Sequence, residues 1–232
     1  MNYQEQPQVK LAQAVRILHN TGLLEVWGHI SARVDDRSCH VLGHLHIDGQ
    51  ILSGTTPDDI VKVGLDGKLL EGMGKPPGEI YIHTEIYKRR PDVNAVVHHH
   101  GQACITLSIV DQEVMPIWTQ STPFVEGTPI FDRPEQIDNP EVGAKVAEVL
   151  ADKRGAFLKG HGAIVVGQSI EEACVLSVVM ERTARMQLDA AALGQPKPIP
   201  RDSLVGGMTR GLTMEELTES YWEFFVAKYP LF

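Results

Sequence analysis

Ala95-Val96-Val97-His98-His99-His100-Gly101 is the stretch on which the fold turns. Its apolar, β-branched start predicts a buried strand. Side chains alternate faces along a strand, so His98 and His100 point one way and His99 the other. Two imidazoles on one face, at the end of a strand that stops at Gly101, can converge on one metal ion. A surface patch, or histidines hydrogen-bonded within a core, would leave the same trace, and for a lone histidine that reading is the better one. For the pair a metal is favoured, because burying so much polarity without a partner is costly.

Outward from this strand the chain alternates helical and extended patterns. Residues 79–90 read as a helix with Glu79 in the first turn, where a carboxylate suits the helix dipole. His83 follows one turn later on the same face. The preceding loop, 72–78, is too rich in glycine and proline for a helix. Earlier, residues 7–20 carry Val9, Ala12, Val15, Ile17 and Leu18 at helical spacing. Ile30, Ala32 and Val34 alternate with Ser31 and Arg33, a strand entered through Gly28 and turned at Asp35-Asp36-Arg37-Ser38. Residues 39–47 return as a second strand; 51–53 and 60–63 are short strand candidates, and Asp66-Gly67 is a hairpin turn.

Beyond the histidines, periodicity leaves 103–110 open between helix and strand. Asn139-Pro140 caps a helix to about Lys153, and 157–167 read as strand, turn, strand. Ser169 with Glu172 forms a capping box for a long helix closed by Gly194. Residues 196–207 are a loop, and Thr213 opens a last helix to about Tyr229. Meander strands with grouped helices predict an α/β or α+β domain of two or three layers.

The chain of 232 residues is 43% hydrophobic and 22% charged, enough for one sizeable core. A net charge of −9 speaks against a nucleic-acid or anionic-membrane partner. No apolar run reaches membrane-spanning length, and the start lacks a signal-peptide pattern. Three scattered cysteines, Cys39, Cys104 and Cys174, suggest reduced thiols and a cytoplasmic setting.

Four motifs together resemble the class II aldolase/adducin family: Gly28-His29-Ile30-Ser31-Ala32-Arg33; Glu79 with His83; residues 90–100 from Arg90-Pro91-Asp92 to His98-His99-His100; and His161-Gly162 ahead of Gly167-Gln168-Ser169. The likeness spans about residues 8–193, leaving a C-terminal extension from about 195 to 232. It implies a three-layer fold with a central, mostly antiparallel sheet, and a homotetramer with active sites between subunits. It also implies one divalent ion on His98, His100 and His161, with Glu79 as acid/base. Three imidazoles leave coordination positions open for substrate, as catalytic sites need. Zinc and manganese are the metals favoured, although imidazole accepts others. The non-catalytic adducin branch lacks the full ligand set, so an enzyme is favoured.

Departures from the family pattern bear on the reaction. Phosphosugar members hold phosphate with Gly-Asn, a hydroxyl-Gly pair and Ser-Ser. Here those places read Gly28-His29, Asp48-Gly49 and Pro77-Gly78. An ionised Asp48 only accepts hydrogen bonds, and Pro77 and Gly78 bring no side-chain donor. The Gly-His pair resembles the branch that decarboxylates hydroxylated aromatic or dienoic carboxylates. The reading is therefore a metal-dependent, non-oxidative decarboxylase of a small carboxylate, with Glu79 or His29 returning the proton. A class II aldolase or epimerase is the alternative, and a non-catalytic adducin-like module a further one. His29, Arg33, His46, Asp48 and Gly78 are the residues assigned to substrate, although strand-surface charge for Arg33 and a polar strand face for His44 and His46 compete with that role. Trp118 and Phe124 could line an aromatic pocket, with ordinary core as the competing reading.

Overall fold

The computed structural model describes residues 5–43, 52–205 and 213–231. In chain order the elements are α1 (Pro7–Asn20), β1 (His29–Asp35), β2 (Ser38–Leu42), β3 (Ile60–Gly64), β4 (Leu69–Glu71), α2 (Ile80–Arg89), β5 (Ala95–His99), α3 (Gln102–Ser108), β6 (Ile130–Phe131), α4 (Pro140–Leu150), β7 (Gly155–Leu158), β8 (Gly162–Gly167), α5 (Ile170–Leu193), α6 (Arg201–Val205) and α7 (Met214–Lys228). The strands form one sheet in the order β4-β3-β2-β1-β5-β8-β7-β6. Every pairing is antiparallel except β6 with β7. The histidine strand is therefore central, with His29 of β1 opposite His98 and Ala163 of β8 opposite His99.

All five residues of β5 are buried, as an unbroken apolar run predicts for a strand covered on both faces. On one face Val96, Val41 and Ile164 pack against Ile82 and Ile86 of α2 and Val146 of α4. On the other, Ala95, Val97 and Ile30 meet Leu11 and Val15 of α1 and Cys174 of α5. Ala163 and Val165 continue that face against Cys104 of α3 and Val175 of α5. The result is a three-layer α/β fold around a mostly antiparallel sheet. The three cysteines are free and buried. Among the described residues no helix is long and apolar enough to cross a membrane.

Several elements differ from the sequence expectation. The second strand ends at Leu42, and the rest of 39–47 beyond Gly43 lies outside the described residues. Leu52–Gly54 is a single 3-10 turn, not a strand. The three-residue β4 carries no periodicity long enough to read, and the open segment after Gly101 is the helix α3. The helix expected to reach Lys153 stops at Leu150, where Ala151 takes φ +49. Part of the expected loop at 196–207 is the one-turn helix α6. The capping box on α5 is half formed: Ser169 accepts from Glu172 N, but the Glu172 carboxylate turns to Gln168 N and Arg154. The box on α7, Thr213 with Glu216, is complete.

Among the glycines of the described strands, Gly162 is the most closely approached. A Cβ there would strike the His99 carbonyl oxygen and sit 2.9 Å from His100 Cδ2 and 3.1 Å from His98 Cε1. Strand β8 must run bare at this position for the histidine rings to sit beside it. Gly162→Ala should lower stability by about 1–3 kcal/mol, the scale of overpacking in a tight interior. Urea unfolding with an unchanged m-value checks it; a midpoint equal to that of the parent would refute the close approach.

Candidate metal centre and active site

Three elements bring the site together. The end of β5 supplies His98 and His100, the turn between β7 and β8 supplies His161, and the start of α2 supplies Glu79. One ring nitrogen from each histidine lies within 4.8 Å of the others. His98 and His100 approach Nε2 to Nε2 at 3.1 Å. Oε2 of Glu79 stands 3.4 Å from His98 Nε2 and 3.4 Å from His161 Nε2. Its Oε1 accepts the Ile137 N–H at 3.2 Å, which fixes the carboxylate. Glu79 is the N-cap residue of α2, one position before the expected first turn, and its side chain leaves the helix uncapped to face the histidines.

The proton inventory says what such a cluster wants. His98 Nδ1 lies 3.1 Å from the Ala163 carbonyl oxygen. A carbonyl only accepts, so Nδ1 of His98 carries a proton and Nε2 is the nitrogen turned to the cluster. It faces His100 Nε2 and the Glu79 carboxylate. Imidazole nitrogens and a carboxylate converging on one point can share a cation. The donor set, three imidazoles with an oriented inner ring, fits a divalent ion with coordination positions left for substrate.

Burial by itself would raise the Glu79 carboxyl, but His161 and His98 outweigh it and hold the group well below the usual carboxylate range. Burial, reinforced by His98 and His161, pushes His100 down to about 4. His99, on the opposite face, is pushed down by burial to about 3 and accepts the Gly101 N–H through Nδ1. It takes no part in the cluster.

His29 joins the site from β1, its ring centroid 5.2 Å from that of His98. Gly28, at φ +97, lets the chain enter β1 this close to the His98 carbonyl. His29, Gly78, Glu79, His100 and His161 share the wall of a cavity of about 580 Å³, closed further by Gln136 and its neighbours. That volume suits a small ligand. A Cβ on Gly78 would meet only Gln136 Nε2, at 3.9 Å, so the backbone does not demand glycine there. A larger groove of about 1030 Å³ lies among α1, α5 and α7, away from the histidines.

Arg33 is placed elsewhere. Its guanidinium donates to the carbonyls of Val93, Tyr87 and Arg90 and lies 4.7 Å over the Tyr87 ring. It ties the C-terminal end of α2 to β1 and is not among the residues that line the cavity. His44, His46 and Asp48 lie outside the described residues. Trp118 donates to Thr183 and Phe124 is buried, so both belong to the core. The wall formed by 134–136 was not foreseen; it belongs to a loop with no periodicity or motif. His83 is drawn to the site indirectly, through a 2.6 Å contact between its Nε2 and His29 Nδ1.

A three-layer fold with this histidine triad defines a class II aldolase-type domain. The chain belongs to the Class II Aldolase and Adducin N-terminal domain family, matched over residues 9–188. It is similar to a 3,4-dihydroxyphthalate decarboxylase of Arthrobacter keyseri, 29% identical over 195 residues that cover 79% of this chain and 78% of the relative. It is also similar to an L-fuculose phosphate aldolase of Methanocaldococcus jannaschii, 31% identical over 164 residues, 69% of this chain and 83% of the relative. Among solved structures, an aldolase II superfamily protein of Pseudomonas syringae shares the fold with a TM-score of 0.82 at 24% identity, covering 99% of this chain and 94% of that one. Class II aldolases typically depend on a divalent metal ion. Named relatives thus include lyases of both kinds, decarboxylases and aldolases.

Two outcomes follow from the site. Removing one ligand with His100→Ala should abolish metal retention, read by elemental analysis of purified protein; full retention would contradict the assignment. Buried His83, His99 and His100 have pKa values lowered from the ordinary 6.5, to about 3, 3 and 4. The unfolded chain therefore binds more protons below pH 6.5, and stability is lost as pH falls through that window towards 3. Glu79, also lowered, adds to the loss only below its ordinary 4.5. Urea midpoints measured with a chelator present should fall from pH 6.5 to 5; a flat profile would contradict buried neutral histidines.

Proposed function

We propose that this protein is a metal-dependent, non-oxidative decarboxylase of a hydroxylated aromatic or related carboxylate. One observation carries the reading: an imidazole, His29, stands beside the histidine cluster, while the described residues of the cavity wall offer no ready cradle for a phosphate. Among the described residues lining it, the one lysine or arginine is Lys159, and its ammonium is already paired with Asp111 and Asp132. The similarity to a dihydroxyphthalate decarboxylase over most of the chain supports the same choice.

When bound to His98, His100 and His161, a divalent ion supplies Lewis-acid withdrawal of electrons from a substrate oxygen. The rest falls to the chain. Glu79, held ionised, enters as a base and takes the proton of the substrate hydroxyl next to the scissile carboxylate. The carbon–carbon bond breaks, carbon dioxide leaves and the electron pair stays on the ring carbon. Glu79 then returns its proton to that carbon, and solvent reprotonates the product oxygen. His29 hydrogen-bonds the substrate carboxylate or hydroxyl. The reading also assigns a homotetramer in the cytoplasm; Val26 and Trp27, apolar and exposed, offer a surface for a neighbouring subunit. Zinc or manganese is the ion proposed.

A second reading, retro-aldol cleavage of a hydroxy-carbonyl compound, is favoured by the 31% identity to the fuculose phosphate aldolase. Both reactions leave an electron pair on carbon, so product analysis separates them. Ortho-hydroxy aromatic carboxylates should release carbon dioxide, and Glu79→Gln should lower kcat by about 10²–10⁴ while the metal stays bound. No release from any of them, with turnover of a sugar phosphate instead, would reverse the choice.

A further inference from the structure

Helix α2 holds β1 from one layer, where His83 Nδ1 meets Ser31 Oγ at 2.6 Å and Ser31 Oγ meets Tyr87 Oη at 2.7 Å. The turn that carries His100 is held from the opposite layer, the one built by α1, α3 and α5. His98 stands inside the ladder of β5, and its ring is oriented by the Ala163 carbonyl. His161 stands in the turn joining β7 to β8, where its N–H donates to the Leu158 carbonyl. His100 lies one residue past the end of β5 and one before Gly101, the N-cap of α3. It is beyond the ladder, so its place depends on how the backbone around it is bonded.

His100 N–H donates to the Leu23 carbonyl at 3.1 Å, and Gly101 N–H to His99 Nδ1 at 3.1 Å. Ala103 N–H donates to Glu181 Oε1 at 2.9 Å, and Cys104 N–H to Glu181 Oε2 at 3.0 Å. The first turn of a helix leaves its N–H groups without partners, and a Ser, Thr, Asp or Asn at the N-cap is the common remedy. Gly101 has no side chain to offer. Glu181, from the middle of α5, supplies the missing acceptor with both of its oxygens. Carboxylate bonds to N–H groups are among the strong ones, and the buried Cys104 thiol is a further donor to the same group. Gly101 takes an ordinary φ of −55, so space and not conformation demands glycine there. A Cβ would strike Glu181 Oε2 and sit 3.0 Å from Leu23 Cδ2. The carboxylate thus stands where a capping side chain would, in the turn that begins at the ligand.

We propose that Glu181 is a positioning residue for the metal site: its carboxylate anchors the backbone that follows His100 and so holds that imidazole in place for the divalent ion. The proposal rests on His100 being a ligand and not on which carbon–carbon bond is broken. Ordering the ligand beforehand matters because apparent affinity is reduced by the fraction of time the binding-competent arrangement is populated. A cap that served the fold alone would change stability and leave the affinity of the folded protein for metal untouched.

Cobalt(II), whose visible absorption reports its ligands, is the probe. It is added to metal-free protein in competition with a chelator, at a temperature where circular dichroism shows each variant folded. Glu181→Gln keeps the shape of the side chain but sets an amide NH2 against one of the two N–H groups. Cobalt affinity should fall about tenfold, the lower end of the loss expected when the support around a ligand is removed, and the absorption should change shape. Gly101→Ala presses on the same carboxylate from the turn and should act in the same direction, which carries the test if Glu181→Gln does not fold. Leu107→Ala empties a core position of the same helix; it should lose stability yet bind cobalt within about twofold of the parent. Parental affinity and spectrum in Glu181→Gln and Gly101→Ala would overturn the proposal, as would a loss in Leu107→Ala equal to theirs. His100→Ala tests the assignment beneath it: if that variant binds cobalt as the parent does, the metal site itself is wrong and the role of Glu181 falls with it.

Discussion

Three imidazoles and a carboxylate brought to one point are the constraint around which this molecule is arranged. His98 donates from Nδ1 to the Ala163 carbonyl, which turns its Nε2 towards His100 and Glu79. Gathered around a cation, these groups are a ligand set. Strand β5 ends there, β8 runs bare at Gly162 to make room, and α2 begins there with its N-cap carboxylate turned inward. Sheet order matters for the same reason. Because β5 lies between β1 and β8, His29 and the turn bearing His161 arrive beside it from opposite sides.

The supporting layer is as specific as the ligands. Helix α2 lies against β1 with its polar groups in step, and Arg33 closes the far end by binding three carbonyls and covering Tyr87. Bonded polar groups inside a core cost little when every partner is present, and they fix one arrangement. The site is thus positioned by regular elements, while the outer wall at 134–136 and the apolar pair Val26 and Trp27 come from loops. A shared scaffold with variable walls is what the mixture of decarboxylases and aldolases among the relatives requires.

Much of this was legible in the amino-acid order, because it rests on short periodicities. Alternation placed His98 and His100 together and His99 apart, and the i, i+4 step joined Glu79 to His83. The helices α1 and α7 could be read from punctuation, Pro7 and Thr21-Gly22 for one and Thr213 with Glu216 for the other. What could not be read depends on contacts distant in sequence. Arg33 looked like a strand-surface charge or a substrate anchor, and only the approach of α2 gives it three carbonyls. Glu172 looked like half of a capping box, but Arg154, 18 residues away, competes for its carboxylate. Ser31 stood inside a family motif with no role of its own and Tyr87 in none, although their spacing from His29 and Glu79 put them on the right faces.

The central claim is that one cation sits among His98, His100 and His161. Anomalous diffraction from crystals of the protein, collected at the absorption edges of zinc and manganese, tests it most directly. One peak should appear about 2.0–2.3 Å from a nitrogen of each of the three rings. A metal peak bound by other residues, or full metal content with no peak between these rings, would contradict it.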